Sequence, residues 1–325
     1  MNISIALCTF NGERFLQEQL DSYCDQELLP DELVVCDDCS ADSTRSILST
    51  FAKDAPFEVR LEFNETNLGM VRNFERAISL CTGDIICLSD QDDVWHAAKI
   101  KRVAEAFESS EDIGMVYSDA LVVDEALTPM GYTMWEQIKF SQQKRVDFEQ
   151  GRAIDWLLKD GHVLGMSMAF RAKFVSQIIP FPEDIYFIHD NWIALVASSL
   201  SRVRIIDTPL VHYRQHSDQT SSGMKLFDEP KLSRLMNEAQ RINVYDKLIR
   251  QMDILQTRLR RTENPPQELI DKISAAIQHF QMRDNLDPKL LARFRQVAWE
   301  FKAGGYRRFS NGLRSATKDT FRGKA

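Results

Sequence analysis

The chain has 325 residues, a formal net charge of -8 and a pI near 5.4. That length exceeds the usual span of one domain, so a main domain plus an appendage is expected, with ample capacity for a core. An acidic balance argues against nucleic acid as a partner, because affinity for a phosphate backbone comes from surplus Lys and Arg. No stretch reaches the roughly 18 uninterrupted apolar residues of a membrane span. The opening Met1-Asn2-Ile3-Ser4-Ile5 lacks a basic region ahead of its apolar run, and a cytoplasmic location is expected.

Strand and helix signals alternate from the first residue. Residues 3–8 form a short β-type run, and 12–24 carry Phe15, Leu16, Leu20 and Tyr23 at helical spacing. A strand at 32–36, a helix opened by Ser40 and Asp42, a strand near 57–63, a helix over 70–80 and a strand at 84–88 follow. After Val94-Trp95 a helix runs to about residue 108, then a strand at 114–123. Residues 124–150, with Pro129 and Gly131, read as a long loop of the kind that serves as a lid or binding segment. A strand at 163–170, a helix at 193–200 opened by 187–192, and short strands at 203–206 and 210–213 complete this part.

Such alternation implies parallel pairing through right-handed crossovers, hence an α/β, Rossmann-like, doubly wound and mostly parallel sheet. Ligands in that architecture bind beyond the carboxyl ends of the strands. Polar residues gather there: Thr9-Phe10-Asn11-Gly12-Glu13, Asp37-Asp38, residues 64–69, and Asp90-Gln91-Asp92-Asp93. One such cluster would be ordinary turn chemistry. Four in register point to a common rim.

Beyond about residue 226 the sequence is helix-forming and charged, broken at Pro265-Pro266 and near Pro288. Three helices and no strand are expected there. The division is therefore a catalytic domain over 1–225 and an α-helical C-terminal extension over 226–325. From Phe301 onward seven basic residues face one acidic residue, with Phe301, Tyr306, Phe309 and Phe321 interleaved. A peripheral contact with an anionic membrane and a solvated tail both fit that pattern.

All six cysteines lie in the first ninety residues. Reduced, mostly buried thiols are expected. Cys36-Asp37-Asp38-Cys39 has redox spacing, but neighbouring carboxylates would raise a thiol pKa rather than lower it.

The chemistry centres on Asp90, Asp92 and Asp93, which follow the apolar run of residues 85–88. Carboxylates this crowded repel one another unless a cation lies among them, and Mg²⁺ or Mn²⁺ binds oxygen ligands together with substrate phosphates. A nucleoside diphosphate also needs a carboxylate for its ribose, and Asp38, Asp90 and Asp92 fit these needs. A departing diphosphate would then need no protein proton donor. The remaining requirement is a base for the incoming nucleophile, for which Asp190, preceded by His189, is the candidate.

Taken together, residues 5–12, 34–40 with Asp42, Asn67-Leu68-Gly69 and 88–95 resemble the family 2 glycosyltransferases of the GT-A fold. The resemblance spans about residues 1–222. Ser89 to Asp93, Gly165 to Phe170, His189-Asp190 and Tyr213-Arg214-Gln215-His216 look most like bacterial rhamnosyltransferase-type enzymes of surface polysaccharide assembly. The resemblance implies a nucleotide pocket lined by Thr9, Asn11 and Glu13, with Asp38 facing the base and Arg72 close by. It places Asp90 near ribose and Asp92 on the metal, makes Asp190 the base of an inverting transfer, and brings Arg214 and His216 to the diphosphate, His216 being also a possible metal ligand. The implied donor is dTDP-rhamnose or a UDP-hexose, and the acceptor a glycan or lipid-linked saccharide. Asn191 and Met166-Ser167 depart from the family pattern, which bears on acceptor preference.

Plainer roles compete. Asp38, Asp42 and Asp190 fit helix caps equally in residue type. His96, His162 and His279 have no supporting cluster, and Trp95 and Trp192 read as core anchors. Asp90-Gln91-Asp92-Asp93-Val94 mimics the nucleophile motif of haloacid dehalogenase-like phosphohydrolases, although three strand–helix units precede it. A nucleotidyltransferase lacks its Gly-rich loop here, and a calcium loop lacks its mid-loop Gly and final Glu. A non-catalytic nucleotide-sugar-binding protein is the remaining alternative.

Overall fold

The computed structural model describes residues 1–159, 163–183, 189–217, 219 and 244–321. The chain divides into two compact units, the first built on residues 1–154, 163–181 and 189–217, the second containing the helices from 244 to 321. The boundary expected at 225/226 lies outside the described residues, as do His162, residues 187–188 and the last four positions.

The first unit is organised by one nine-stranded sheet. Its strands are β1 (Ile3–Thr9), β2 (Glu32–Asp37), β3 (Glu58–Phe63), β4 (Ile85–Ser89), β5 (Val94–Trp95), β6 (Ile113–Val123), β7 (Pro129–Thr133), β8 (Met168–Arg171) and β9 (Arg202–Arg214). They run in the order β3-β2-β1-β4-β8-β6-β9-β5, with β7 on β6. The pairs β3–β2, β2–β1, β1–β4 and β6–β9 are parallel, as the alternation implies. β8 is antiparallel to both neighbours, β4 and β6.

β1, β2 and β4 are almost wholly buried, which is why they read as continuous apolar runs rather than alternating ones. One face of the sheet contributes Ile3, Ile5, Leu7, Leu33, Val35, Ile85 and Cys87 to a single core with Leu16, Leu20 and Tyr23 of α1 (Leu16–Cys24) and Ile100, Val103 and Phe107 of α4 (Lys99–Glu108). Each such side chain removes about 1.5–3 kcal/mol of apolar surface cost from water. α3 (Met70–Leu80) packs on β1 and β2 through Phe74, Ala77 and Ile78, which are buried outside that cluster. α2 (Thr44–Asp54) packs on β3.

Several elements differ from expectation for local reasons. Residues 124–150 are not a bare loop: β7 forms a hairpin with β6, and the helices Met134–Gln137 and Gln142–Asp147 follow, the first opened by a capping box of Thr133 and Glu136. The strand expected at 163–170 is shorter, because Gly165–Ser167 forms a 3₁₀ turn ahead of β8. The two short strands at 203–213 are one strand, β9, whose register on β6 shifts at Pro209, where the ladder donor is missing. Trp95 and Trp192 are buried anchors, Trp192 donating to the Ile178 carbonyl at 2.8 Å.

The second unit holds five described helices where three were expected: Val244–Leu259, Gln267–Asp284, Leu290–Ala303, Gly305–Phe309 and Leu313–Phe321. The run after Pro288 breaks at Gly304, which takes φ +87 as a left-handed C-cap. Tyr306 and Phe309 are buried in this unit rather than lying along a free tail. Its core is partly polar. Asp319 accepts from Arg283 Nε at 2.6 Å and Tyr306 OH at 2.7 Å, while Arg283 Nη1 donates to Ser310 at 2.7 Å. His279 lies between Glu300 at 2.7 Å and Ser310 at 2.8 Å, and burial pushes its pKa down to about 3. That histidine therefore has a cluster that helical spacing alone does not reveal.

Removing one partner of a buried ion pair strands the other charge. Asp319→Ala is expected to lower the unfolding free energy by about 3–5 kcal/mol in urea titration.

Candidate active site

The rim begins with two stitched loops. After β1, Thr9 donates to Asp37 Oδ2 at 3.0 Å, the Asn11 amide nitrogen donates to Ser40 Oγ at 2.8 Å, and Asn11 Oδ1 accepts from the Ala41 amide at 2.9 Å. Glu13 and residues 42–43 exchange two further bonds, Ser43 N to Glu13 Oε2 at 2.8 Å and Glu13 N to Asp42 Oδ2 at 3.0 Å. Asn11 takes φ +48, a left-handed conformation that Asn tolerates because its side chain bonds locally. All three residues expected in a nucleotide pocket are thus at the rim, and each also holds the loops after β1 and β2 together.

Asp38 is buried, and both of its carboxylate oxygens accept hydrogen bonds. Its carboxylate accepts from Asn64 Nδ2 at 2.8 Å, the Leu68 amide at 2.7 Å and the Gly69 amide at 2.8 Å. It therefore shapes the loop after β3 rather than capping α2. The neighbouring Asp37 and Asp42 close the turns ahead of α2, accepting from the Ser40 amide at 3.1 Å and the Thr44 amide at 3.0 Å, while the N-cap position is Ser43. Arg72, on α3, donates to Glu75 at 2.8 Å and to the Phe181 carbonyl at 3.2 Å.

Behind β4 each carboxylate meets a different environment. Gln91 turns back and pairs its amide with the Phe10 backbone at 2.8 and 3.1 Å. A Cβ on Gly12 would come within 2.3 Å of that amide, which explains the glycine without any phosphate loop. Asp93 is buried; its Oδ1 accepts from the Arg214 amide at 3.1 Å, its Oδ2 has no hydrogen-bond partner among the described residues, and burial holds its pKa well above the usual range. Asp92 Oδ2 lies 2.9 Å from His216 Nε2. Asp90 is raised too, first by burial and then by the Asp92 and Asp190 carboxylates.

Arg214 is 1% exposed. It donates Nε to the Asp92 carbonyl at 2.9 Å, with Nη1 on the Glu125 carbonyl and Nη2 on Glu18, over the Phe15 ring at 4.5 Å. The guanidinium is committed to holding the acidic loop against α1 and residue 125, so its charge bears on the rim from beneath.

Asp190 opens the helix His189–Leu200 and is 3% exposed. Its Oδ2 accepts from the Gly165 amide at 3.2 Å, and its Oδ1 from the Asn191 amide and side chain at 2.7 and 3.1 Å. Burial nevertheless raises its pKa to about 7. His189 stacks on Phe74 with centroids 4.2 Å apart and is held neutral by burial, its pKa near 3.

Lys99 escapes a reading by sequence. It begins α4, is 1% exposed, donates Nζ to the Met166 carbonyl at 2.6 Å and sits 3.5 Å from the Trp95 ring centroid. Burial lowers its pKa to about 7 against the pull of Cys87, Asp93 and Asp90. A buried ammonium thus lies within electrostatic reach of the acidic cluster. Its only signal in sequence is a lysine next to the apolar stripe of Ile100, Val103 and Phe107.

Asp92 and His216 present an oxygen and an imidazole nitrogen side by side, donors that suit Mg²⁺ or Mn²⁺. Among the described residues no group of three His, Cys, Asp or Glu side chains could hold a metal ion. The remaining ligands would come from phosphate and water, as is usual for these ions. The thiols take no part: burial pushes Cys36 up to about 12 and Cys87 to about 11.

The profile of the family described as "Glycosyl transferase family 2" matches residues 4–174, which is more than half of the chain. The chain belongs to glycosyltransferase family 2. That membership sets aside the phosphohydrolase reading of the acidic loop. An uncharacterised glycosyltransferase of Nostoc sp. is 24% identical over 223 residues, covering 66% of this chain and 65% of the relative. The dTDP-rhamnosyl transferase RfbG of Shigella flexneri is 34% identical over 103 residues, 30% of this chain and 36% of that one. The chain spans about half to two thirds of the curated relatives it matches, 65, 44 and 55% for three of them.

Among solved structures, TarS of S. aureus in complex with UDP-GlcNAc has a TM-score of 0.59 at 18% identity, covering 94% of this chain and 82% of that one. The mannosyltransferase PcManGT of Pyrobaculum calidifontis, in complex with GDP-Man and Mn²⁺, has a TM-score of 0.53 at 16% identity, covering 98 and 84%. At these identities the likeness establishes the fold, which is the GT-A glycosyltransferase fold with a helical C-terminal region.

Asp38 separates scaffold from recognition. Asp38→Asn would oppose an amide NH₂ to one of three donors, at about 1–3 kcal/mol. The expected result is a lower melting temperature with UDP, dTDP and GDP affinities weakened alike. A change of base preference at unchanged melting temperature would instead assign Asp38 to the base.

Proposed function

We propose that the protein is a metal-dependent, inverting glycosyltransferase that moves a sugar from a nucleotide-diphosphate donor to a hydroxyl of a glycan or lipid-linked acceptor in bacterial surface polysaccharide synthesis. The observation that carries this reading is the approach of Asp190 to the acidic loop: its carboxylate is near enough to raise that of Asp90, yet it stands on a different element with a pKa near the working range of a general base. The local identity with a dTDP-rhamnosyl transferase supports dTDP-rhamnose as donor, and the UDP-GlcNAc complex of a structural neighbour supports a UDP-hexose.

In this reading Thr9, Asn11, Glu13, Asp38 and Arg72 shape the nucleotide side, Asp90 and Asp92 face ribose and diphosphate, and Arg214 and His216 close the loop from the C-terminal side. A Mg²⁺ or Mn²⁺ on Asp92, with Asp90 and His216 beside it, would neutralise the charge developing on the leaving diphosphate. Asp190 accepts the acceptor hydroxyl's proton as the new bond to the anomeric carbon forms and the bond to the diphosphate oxygen breaks. The Gly165 amide and Asn191 orient that carboxylate, and three accepted bonds leave it a lone pair for the proton.

A base must be ionised to act. Asp190 is protonated below about pH 7, so the transfer rate is expected to fall about tenfold per pH unit below that value and to level off above it. The charged and titratable groups around it are Asp90, Tyr117 and a neutral His189, and the last does not titrate in this window.

Asp190→Asn is expected to reduce turnover by about 10²-fold or more while nucleotide affinity stays near wild type. The sign of its effect on stability also follows. The folded-state pKa lies above the unfolded one, so the ionised carboxylate destabilises the fold, increasingly as pH rises from about 4 to about 7 and constantly above. The neutral amide lacks that cost but sets its NH₂ against an N–H donor, so its melting temperature relative to wild type is expected to be higher at pH 8 than at pH 5. Full transfer by this variant, or by Asp92→Ala in the same assay, would overturn the proposal.

A further inference from the structure

Within the second unit, the helices Leu290–Ala303 and Leu313–Phe321 pack on each other through Val297 and Ala316, and Arg293 Nε donates to the Thr320 carbonyl at 2.9 Å. The buried side of the first helix is set by Arg293, Val297 and Glu300. On its opposite side Leu291, Arg295, Trp299 and Lys302 recur at helical spacing, with Phe294 beside them. Leu291, Phe294 and Trp299 are 79, 57 and 68% exposed. On the second helix Leu313 and Phe321 are 69 and 72% exposed, with Arg314 and Lys318 alongside. Single exposed apolar residues are ordinary, but six large ones on two adjoining helices, Leu290 being the sixth, are not.

The charge on these faces is of one sign. Each helix has one acidic residue, and each is turned inward: Glu300 onto His279 and Asp319 onto Arg283 and Tyr306. Arg295, Lys302, Arg307, Arg308, Arg314 and Lys318 are all exposed. A protein of net charge -8 thus presents a surface whose outward side chains are apolar or cationic.

We propose that the outer faces of Leu290–Ala303 and Leu313–Phe321 form a docking surface for an anionic lipid bilayer. Leu, Phe and Trp side chains insert at the level of the headgroups while the Lys and Arg ammonium and guanidinium groups stay at the charged interface. Free phosphate would satisfy the cations and leave the apolar row in water. A second copy would bring like charges together. Lys302, Arg314, Lys318 and Phe321 belong to the basic tail read from sequence, whereas Tyr306 and Phe309 are core residues and Leu291, Phe294 and Trp299 precede it. The surface is independent of the donor site and goes beyond the transfer reaction.

The test is co-sedimentation of the full chain with phosphatidylcholine vesicles containing or lacking phosphatidylglycerol. Binding is expected to the anionic vesicles alone and to weaken as salt rises. Arg295→Glu with Lys302→Glu should lower partitioning about tenfold or more, and Leu291→Ser with Trp299→Ser should lower it by a similar factor. Both double variants change outward side chains, so melting temperature and sugar-nucleotide affinity should match wild type, which separates loss of docking from loss of fold or of the donor site. Equal binding to neutral and anionic vesicles, no binding to either, or unchanged binding by both variants would overturn the proposal. So would concentration-dependent dimerisation in analytical ultracentrifugation that Leu291→Ser with Trp299→Ser abolishes.

Discussion

Three carboxylates within four residues cannot all be treated alike at the end of a buried strand, and the rim is arranged around that constraint. Coulomb repulsion at this spacing is strong once water is partly excluded. The fold answers by separating them. Asp93 goes inward against the Arg214 amide, where burial raises its pKa. Asp92 turns to His216 at 2.9 Å. Asp90 is raised by burial and then by its neighbours, with Lys99 within electrostatic reach. The one sequence motif thus contains an inward carboxyl, a ligand candidate and a crowded carboxyl whose charge protonation or a bound cation would relieve.

The same division runs through the rest of the rim. A polar residue at the end of a strand is either spent on holding loops or left for a ligand, and residue type does not say which. Asp37 and Asp38 are adjacent and chemically identical, yet one caps the turn before α2 and the other organises the Asn64–Gly69 segment. Arg214 could be read as a phosphate contact by its place in the chain. Its burial and its three nitrogens' partners show it pinning the acidic loop to Glu18 and Glu125.

What the sequence made legible follows period and order. Continuous apolar runs marked β1, β2 and β4 because both faces of those strands are covered, and helical spacing in 12–24 and 70–80 marked α1 and α3. The polar ends of these strands located the rim, since parallel topology forces them to one side. The features that stayed hidden depend on contacts between distant segments. Lys99 looks like any charged helix-starting residue until Met166, 67 positions away, supplies its acceptor. The glycine at 12 is explained only by Gln91. Residues 124–150 were opaque because their hairpin pairs with β6 over a few residues and their helical turns are too short to show a period.

Asp190 shows how the site differs from the frame that carries it. Asp38 and Asp319 are also buried, and several donors meet the first and the Arg283 guanidinium the second. Asp190 also accepts three bonds, yet burial outweighs them and keeps its pKa near 7. An amide there would avoid the cost of desolvating a charge, although its NH₂ would face the Gly165 or the Asn191 donors. The cost falls away only if ionisation is itself useful. A carboxylate that accepts a proton during each turnover and returns it to solvent gains from a pKa near the ambient pH, where neither form is strongly preferred. In the proposed transfer, local stability given up at the N-terminus of one helix would serve proton acceptance next to a departing anion.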